Sequence, residues 1–315
     1  MSALTLEAAA PAPAPPRSGV VRTVLRLHRA ALWIWLAFVA GTAGLLLWLL
    51  GPGADTAQRA LDTYGYSGLI MVMGSADEYS SRFYYADTLL TLASFAVALF
   101  AGGPLIAREL ENGTAQLAWT QSVSPVRWLA VKLAVPAAFI VVGTGLLTLL
   151  HHQLWTAHSN LLIAGIQPRA LYFSLGPATV AAPLLGLALG ALIGLAVRRT
   201  LPALAFSGFA YFLVYAFRGN HWPFQGRYQA PELHSRSWAI TSTGARVADP
   251  DCYDDKACLA KHHVVGFSRE YLPSSDYWPR QLLETGVLLA LTAVAVALAF
   301  GLLRRRAATG RARRA

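Results

Sequence analysis

The sequence is poor in charge. Asp, Glu, Lys and Arg make up only 13% of its 315 residues, against 55% hydrophobic. A soluble domain of this length spreads charge over most of its surface, so one water-soluble globule does not fit. Nucleotide and hydrolase motifs are also missing. The chain has no Gly-Lys dipeptide, so it has no Gly-x-x-x-x-Gly-Lys-Ser/Thr loop to cradle phosphates. It has no His-Glu-x-x-His helix and no Gly-x-Ser-x-Gly elbow. Any ATP-driven work needs an ATPase on another polypeptide. Cysteine is nearly absent: Cys252 and Cys258 are the only two, and both fall in one hydrophilic stretch.

What is present is a series of apolar runs of the length that crosses a bilayer. Six spans are predicted, at about 30–50, 88–107, 128–150, 175–197, 201–217 and 282–303. Gly51-Pro52-Gly53 stops the first. Gly102-Gly103-Pro104 should bend the second, and Pro136 should kink the third. Residues 1–19 form an Ala/Pro-rich tail expected to be disordered, with no removed signal peptide. Over 20–29 the pattern is amphipathic. Arg22, Arg26 and Arg29 share one face and Val21, Val24 and Leu25 the other, as in a helix lying among lipid headgroups. A simple extension of the first span is the other reading.

The net charge of +10 raises the question of nucleic acid. The excess, however, flanks the apolar runs, where it reads as topology signal and lipid contact. Arg17, Arg22, Arg26, Arg29, Arg108, Arg127, Lys132, Arg198, Arg199 and the tail arginines all belong to one side of a six-span chain. That side has only Glu7, Glu109 and Glu111 as acids. The positive-inside rule therefore places both termini and the loop 106–132 in the cytoplasm. No nucleic-acid partner is expected.

The loop 106–132 carries the densest local signals. Glu109 and Glu111 are its only acids. Gly113 suits the left-handed residue that ends a helix. Thr114 can cap a short helix from 115 to about 122. Ser124 before Pro125 starts the next one. A short, nearly uncharged helix held between two membrane helices is a rigid knob on which another protein can push.

These residues resemble the cytoplasmic loop of ABC-2-type transport permeases: Glu111-x-Gly113-Thr114, then Leu117, Thr120, Ser124, Pro125, Arg127 and Lys132. The family loop often reads Pro-Val-Ser-Arg where this one reads Ser-Val-Ser-Pro-Val-Arg. The resemblance implies an all-α membrane protein of type V, ABCG-like topology, with six transmembrane helices. It implies an N-terminal elbow helix, a coupling helix in the loop, and a large external loop between helices 5 and 6. The transmembrane domain would cover 20–303 and a basic cytoplasmic tail 304–315. It also implies a membrane-spanning subunit of a bacterial plasma-membrane exporter, not itself an enzyme. Its partners would be an ABC ATPase subunit, a second permease copy or related chain, and membrane lipid. No cofactor is expected in this chain, because ATP and Mg would sit on the ATPase. Glu109, Glu111, Gly113, Thr114, Leu117 and Arg127 become candidates for ATPase coupling. The spans offer no charged central site, so a lipophilic or amphipathic cargo is expected.

The external loop, 218–281, is rich in Tyr and Trp and should form a compact cap with a short interfacial piece. Outside the cytoplasm Cys252 and Cys258 suggest a disulfide worth about 2–3 kcal/mol at best. A zinc site with His262 or His263, or free thiols, are the rivals. Gly186, Gly190 and Gly194 recur every four residues and predict close helix packing. Asp87 reads as a helix cap and Glu284 as a surface partner of Arg280, four residues before it. Two other functions fit the sequence. One is an intramembrane metal-dependent enzyme using His151, His152 and His158. The other is a membrane scaffold or immunity subunit that moves nothing.

Overall fold

A computed structural model describes residues 18–64, 75–121, 123–158, 161, 173–220, 237–243, 245–248, 250, 252, 256–269 and 274–312. Its membrane part is helical throughout. Six helices are long and apolar enough to cross a bilayer, which is the predicted number. The chain opens with α1 (Ser18–Leu27), breaks at His28, and continues as α2 (Arg29–Leu50) and α3 (Pro52–Tyr64). Then come α4 (Ser75–Phe100), a π-helical segment (Ala101–Ala107), α5 (Arg108–Glu111) and α6 (Thr114–Thr120). The remaining spans are α7 (Pro125–His158), α8 (Ala178–Val197), α9 (Thr200–Asn220) and, after the large loop, a final long helix.

That loop holds a three-stranded antiparallel sheet in the order β2-β1-β3: β1 (Ser237–Thr241), β2 (Arg246–Ala248) and β3 (Val264–Arg269). Trp238 pairs with Ala248 on one side and Ser268 on the other. The short helix α10 (Lys256–Lys261) precedes β3, and the last span is α11 (Ser274–Ala312). An all-helical expectation did not include this sheet. Cys252 and Cys258 form a disulfide there, with Cα atoms 5.5 Å apart. His262 lies close to both sulfurs, but each sulfur is already bonded to the other.

Contacts between helix ends define two faces. His28 meets Lys132, Glu111 meets Thr200, and Arg306 donates to the carbonyl of Leu195. These residues and both described chain ends share what we call the basic face. At the distal face His158 meets the carbonyl of Leu50, Gln281 meets the amide of Ala178, and Arg218 meets Glu284. Apolar packing divides the same way. Leu46, Leu49, Tyr79, Phe83, Leu147 and Leu154 pack together at the distal half. Leu105, Ile106, Leu110, Trp128, Leu129, Leu195 and Leu303 do so at the basic half.

Helix α8 is the hub, packing against α4, α7, α9 and α11. Its glycines explain how. A Cβ on Gly190 would lie 2.5 Å from the Ala98 carbonyl oxygen, and one on Gly194 2.6 Å from that of Gly102. At Gly186 the Ser94 carbonyl oxygen would be 3.0 Å away. The stripe lets the two backbones touch, the arrangement that small residues permit where no water drives association.

Several boundaries move from their predicted places. The second span was expected from 88, but α4 starts at Ser75, so Asp87 lies well inside it and is buried instead of capping it. Asp77, Glu78 and Asp87 made this stretch look like loop. The sixth span was expected to end at 303, and α11 runs on to Ala312, into the basic tail. The tail expected over 1–19 lies outside the described residues up to 17, while Ser18 and Gly19 open α1. Pro104, which has no N–H to donate, sits inside the π-helical segment. That widening falls at Gly102-Gly103-Pro104, where the residues lead one to expect an irregularity. It also brings α9 close, since a Cβ on Gly102 would meet Ser207 Oγ at 1.9 Å.

Candidate functional site

The basic face is built from the end of α4 outward. After α5, Gly113 takes φ +74°, the left-handed conformation its sequence predicted. The chain then turns into α6. Thr114 is the first residue of that helix and not its cap. Its hydroxyl reaches back to the Glu109 carbonyl oxygen at 3.2 Å. The helix ends at Thr120, two residues sooner than expected. Ser124 then accepts from the Arg127 amide at 3.3 Å, with Pro125 opening α7, as its local sequence predicted.

One face of α6 is rooted in the bundle. Ala115 is fully buried, and the Trp119 ring meets Trp128 edge-on with centroids 5.6 Å apart. The opposite face is open: Gln116, Leu117 and Thr120 are exposed, and Leu117 is 58% accessible. A leucine so placed, on a helix anchored from behind, leaves an apolar side chain uncovered. It does not lie on a membrane span, where exposed apolar side chains face lipid.

Behind α6 lies a polar network. Glu109 pairs with Lys132, whose ammonium also donates to the Leu105 carbonyl at 3.0 Å and contacts His28 Nε2 at 3.1 Å. The second carboxylate oxygen of Glu109 accepts from Trp128 Nε1 at 3.1 Å. Lys132 is 1% exposed. Burial holds the His28 pKa down to about 4, with Lys132 and Arg108 adding to the effect, so the imidazole is neutral at ordinary pH. A neutral ring can accept from the ammonium through Nε2. The network therefore fastens the α1–α2 junction, the root of α5 and the start of α7 together.

The six coupling candidates thus divide. Glu109 is turned inward and is a tie within the chain. Glu111 accepts from the Thr200 amide at 2.8 Å and its hydroxyl at 2.5 Å, so it closes the start of α9. Gly113 and Thr114 shape the turn. Leu117 is exposed, and Arg127 is half-buried at the start of α7. Lys132 stood in the motif without a role, and neither His28 nor Trp128 was singled out. Pairing them with Glu109 needed knowledge of which helix ends meet.

The distal face corrects two readings. Glu284 is no surface partner of Arg280. It is 1% exposed and accepts from Arg218 Nε at 2.5 Å, across from α9. An acid near the start of the sixth span and a base at the end of the fifth were the available signal. The histidines expected to cluster do not converge. His151 is buried against the Phe83 ring at 4.6 Å, His152 faces Trp278, and His158 bonds the Leu50 carbonyl. Among the described residues, the side chains close enough to share a metal are Cys252, Cys258 and His262 alone.

Residues 34–219, from within α2 to the end of α9, match the family model described as ABC-2 membrane transporter related. No curated protein matches the chain.

Proposed function

This chain belongs to the ABC-2 membrane transporter related family, and on that premise we propose that it exports a lipophilic or amphipathic compound, driven by a separate ATPase. It is a multi-pass membrane protein and a permease of the ABC class. The proposal adds direction, cargo and mechanism. The basic face lies in the cytoplasm of a bacterial cell, the distal face outside. Two permease chains enclose a path, and two ATPase subunits, which hold ATP and Mg, bind beneath.

The carrying observation is α6, with its exposed Leu117 in front and the Glu109–Lys132–His28–Trp128 network behind. A docking element must be stiff to transmit motion. Ala115 and Trp119 fix it to the core, and Glu109 and Glu111 fix its stem to α7 and α9. Force on α6 therefore reaches the first, second, third and fifth spans at once. Coupling of this kind is a free energy shared between sites, set by a two-state element that both sites bias. In this assignment Leu117, Gly113, Thr114 and Arg127 meet the ATPase, while Glu109 and Glu111 position them.

The test is co-purification of the tagged chain from native membranes with its ATPase. Leu117→Asp places a charge in the contact and should reduce bound ATPase and cargo-stimulated ATP turnover about tenfold or more, while the chain stays in the membrane. Unchanged turnover would sink the docking assignment. So would labelling of Leu117→Cys in intact cells by a membrane-impermeant maleimide, which would put α6 outside.

A further inference from the structure

Buried polar groups nearly always find partners, and each exception calls for an explanation. At the distal half several do not. Arg218 is 8% exposed and Glu284 1%. They hold each other through Nε and Oε1, yet Arg218 Nη2 and Glu284 Oε2 have no hydrogen-bond partner among the described residues. Beside them a cavity opens between α4, α8 and α9. Thr91, Ser94, Thr179, Tyr211, Tyr215 and Arg218 line it. The Phe173 ring covers the guanidinium at 4.9 Å, and the Tyr211 hydroxyl approaches Ser94 and Arg218. Donors thus converge on a space with room for about one water-sized group.

We propose that this cavity is a subsite for the neutral, oxygen-bearing tip of a lipophilic molecule, a hydroxyl or an ester or amide carbonyl. The charge balance selects the chemistry. Glu284 already neutralises Arg218, so an incoming carboxylate, phosphate or ammonium would arrive without a counter-ion and lose its hydration. A neutral oxygen suffers no such loss and satisfies the spare guanidinium N–H. Size agrees, because the space admits one oxygen and not a headgroup. The route agrees as well: Tyr215 lines the cavity and is 39% exposed on the bundle's outer surface, so a tail attached to that oxygen can run out along α9 into lipid. The inference deepens the export reading and rests on it for what such a molecule is doing there.

The test measures binding to the purified full chain alone, without ATPase or ATP, so that its failure is separate from failure of coupling. Three probes share a similar tail: oleyl alcohol with a single neutral hydroxyl, oleate with a carboxylate, and 1-octadecene with no head. Thermal unfolding is followed by Trp fluorescence at rising probe concentration. Oleyl alcohol should raise Tm saturably, by about 5–10 °C at a hundredfold excess over its Kd. Oleate and 1-octadecene should not. The rise should vanish in the double variant Thr91→Val/Ser94→Ala and in the paired neutral variant Arg218→Gln/Glu284→Gln. If the second does not fold, the first still decides. Equal shifts from all three probes, a larger shift from oleate, a shift kept in the hydroxyl-free variant, or no shift at all would each overturn the subsite and leave the cavity to water.

Discussion

Lys132–Glu109 at the basic face and Arg218–Glu284 at the distal face are both buried pairs between different helices. They are satisfied to different degrees. At the basic face the ammonium reaches a carboxylate, a carbonyl and an imidazole, and both oxygens of Glu109 have partners. At the distal face one nitrogen and one oxygen of the pair are left over. Asp87, Ser174 and His151 approach one another there without well-formed hydrogen bonds, while at the basic face Trp119 Nε1 lacks one among the described residues. A fully satisfied buried network stiffens its surroundings, while a partly satisfied one is a place where something else belongs. The Glu109–Lys132 network is closed on itself, and the Arg218–Glu284 pair keeps hydrogen bonds to offer.

The strongest way to break the comparison is Lys132→Met. It strands a buried carboxylate and should destabilise the bundle by about 3–5 kcal/mol, seen as a large fall in Tm or in folded yield. Glu109→Leu combined with Lys132→Met should recover much of that loss, since no charge is then left alone. If the single variant unfolds no earlier than wild type, the basic face is not the tight end.

Next is the seam that joins the two ends. Gly190→Ala should cost about 1–3 kcal/mol, because the new methyl meets backbone atoms of α4 on contact. Gly145→Ala and Gly286→Ala have open space at the same test. They should be neutral or gain a few tenths of a kcal/mol. Equal effects at all three would mean that α4 and α8 do not touch as described.

A smaller effect follows from His28. Its pKa falls from 6.5 in the unfolded chain to about 4 in the fold. Above pH 6.5 the ring is neutral in both states and contributes no pH dependence. Between 6.5 and about 4 the unfolded chain takes up a proton that the folded one refuses, so stability declines as pH falls through that window. The loss is up to about 2 kcal/mol once partial exposure is discounted. His28→Gln should flatten this part of the profile, and an unaltered slope would assign it to another group.

The smallest stability effect belongs to Leu117→Asp. Unfolding should move by less than about 0.5 kcal/mol, although ATPase coupling drops. A large loss of stability would mean that α6 is a structural part of this chain and not its contact surface.

How much of this was visible in the residues differs by kind. The six spans, the left-handed Gly113 and the Ser124-Pro125 start rest on run length and local chemistry, which sequence carries directly. The glycine spacing in α8 was readable as close packing, but its partner was not. The start of α4 was missed because acids among apolar residues look the same in a loop and in a helix that runs on past the bilayer. The pairs Lys132–Glu109 and Arg218–Glu284 were missed for a different reason. Arg218 and Glu284 sit on helices that only the folded bundle brings side by side; Glu109 and Lys132 share the loop 106–132, but nothing in its residue pattern says which of its charges meet. For Glu109 the residues marked the neighbourhood, while its inward partners Lys132 and Trp128 came only with the fold.

The seven residues Ala101–Ala107 wind more loosely than the helix on either side. A looser coil puts the side chains that follow it out of phase with an uninterrupted α-helix. That offset is what aims Glu109 at Lys132 while Glu111, only two residues on, is aimed at Thr200. Shortening the segment by one residue would advance everything beyond it by about 100°, and both carboxylates would lose their partners in a single stroke. The direction in which α6 is presented is thus fixed by the pitch of the stretch before it.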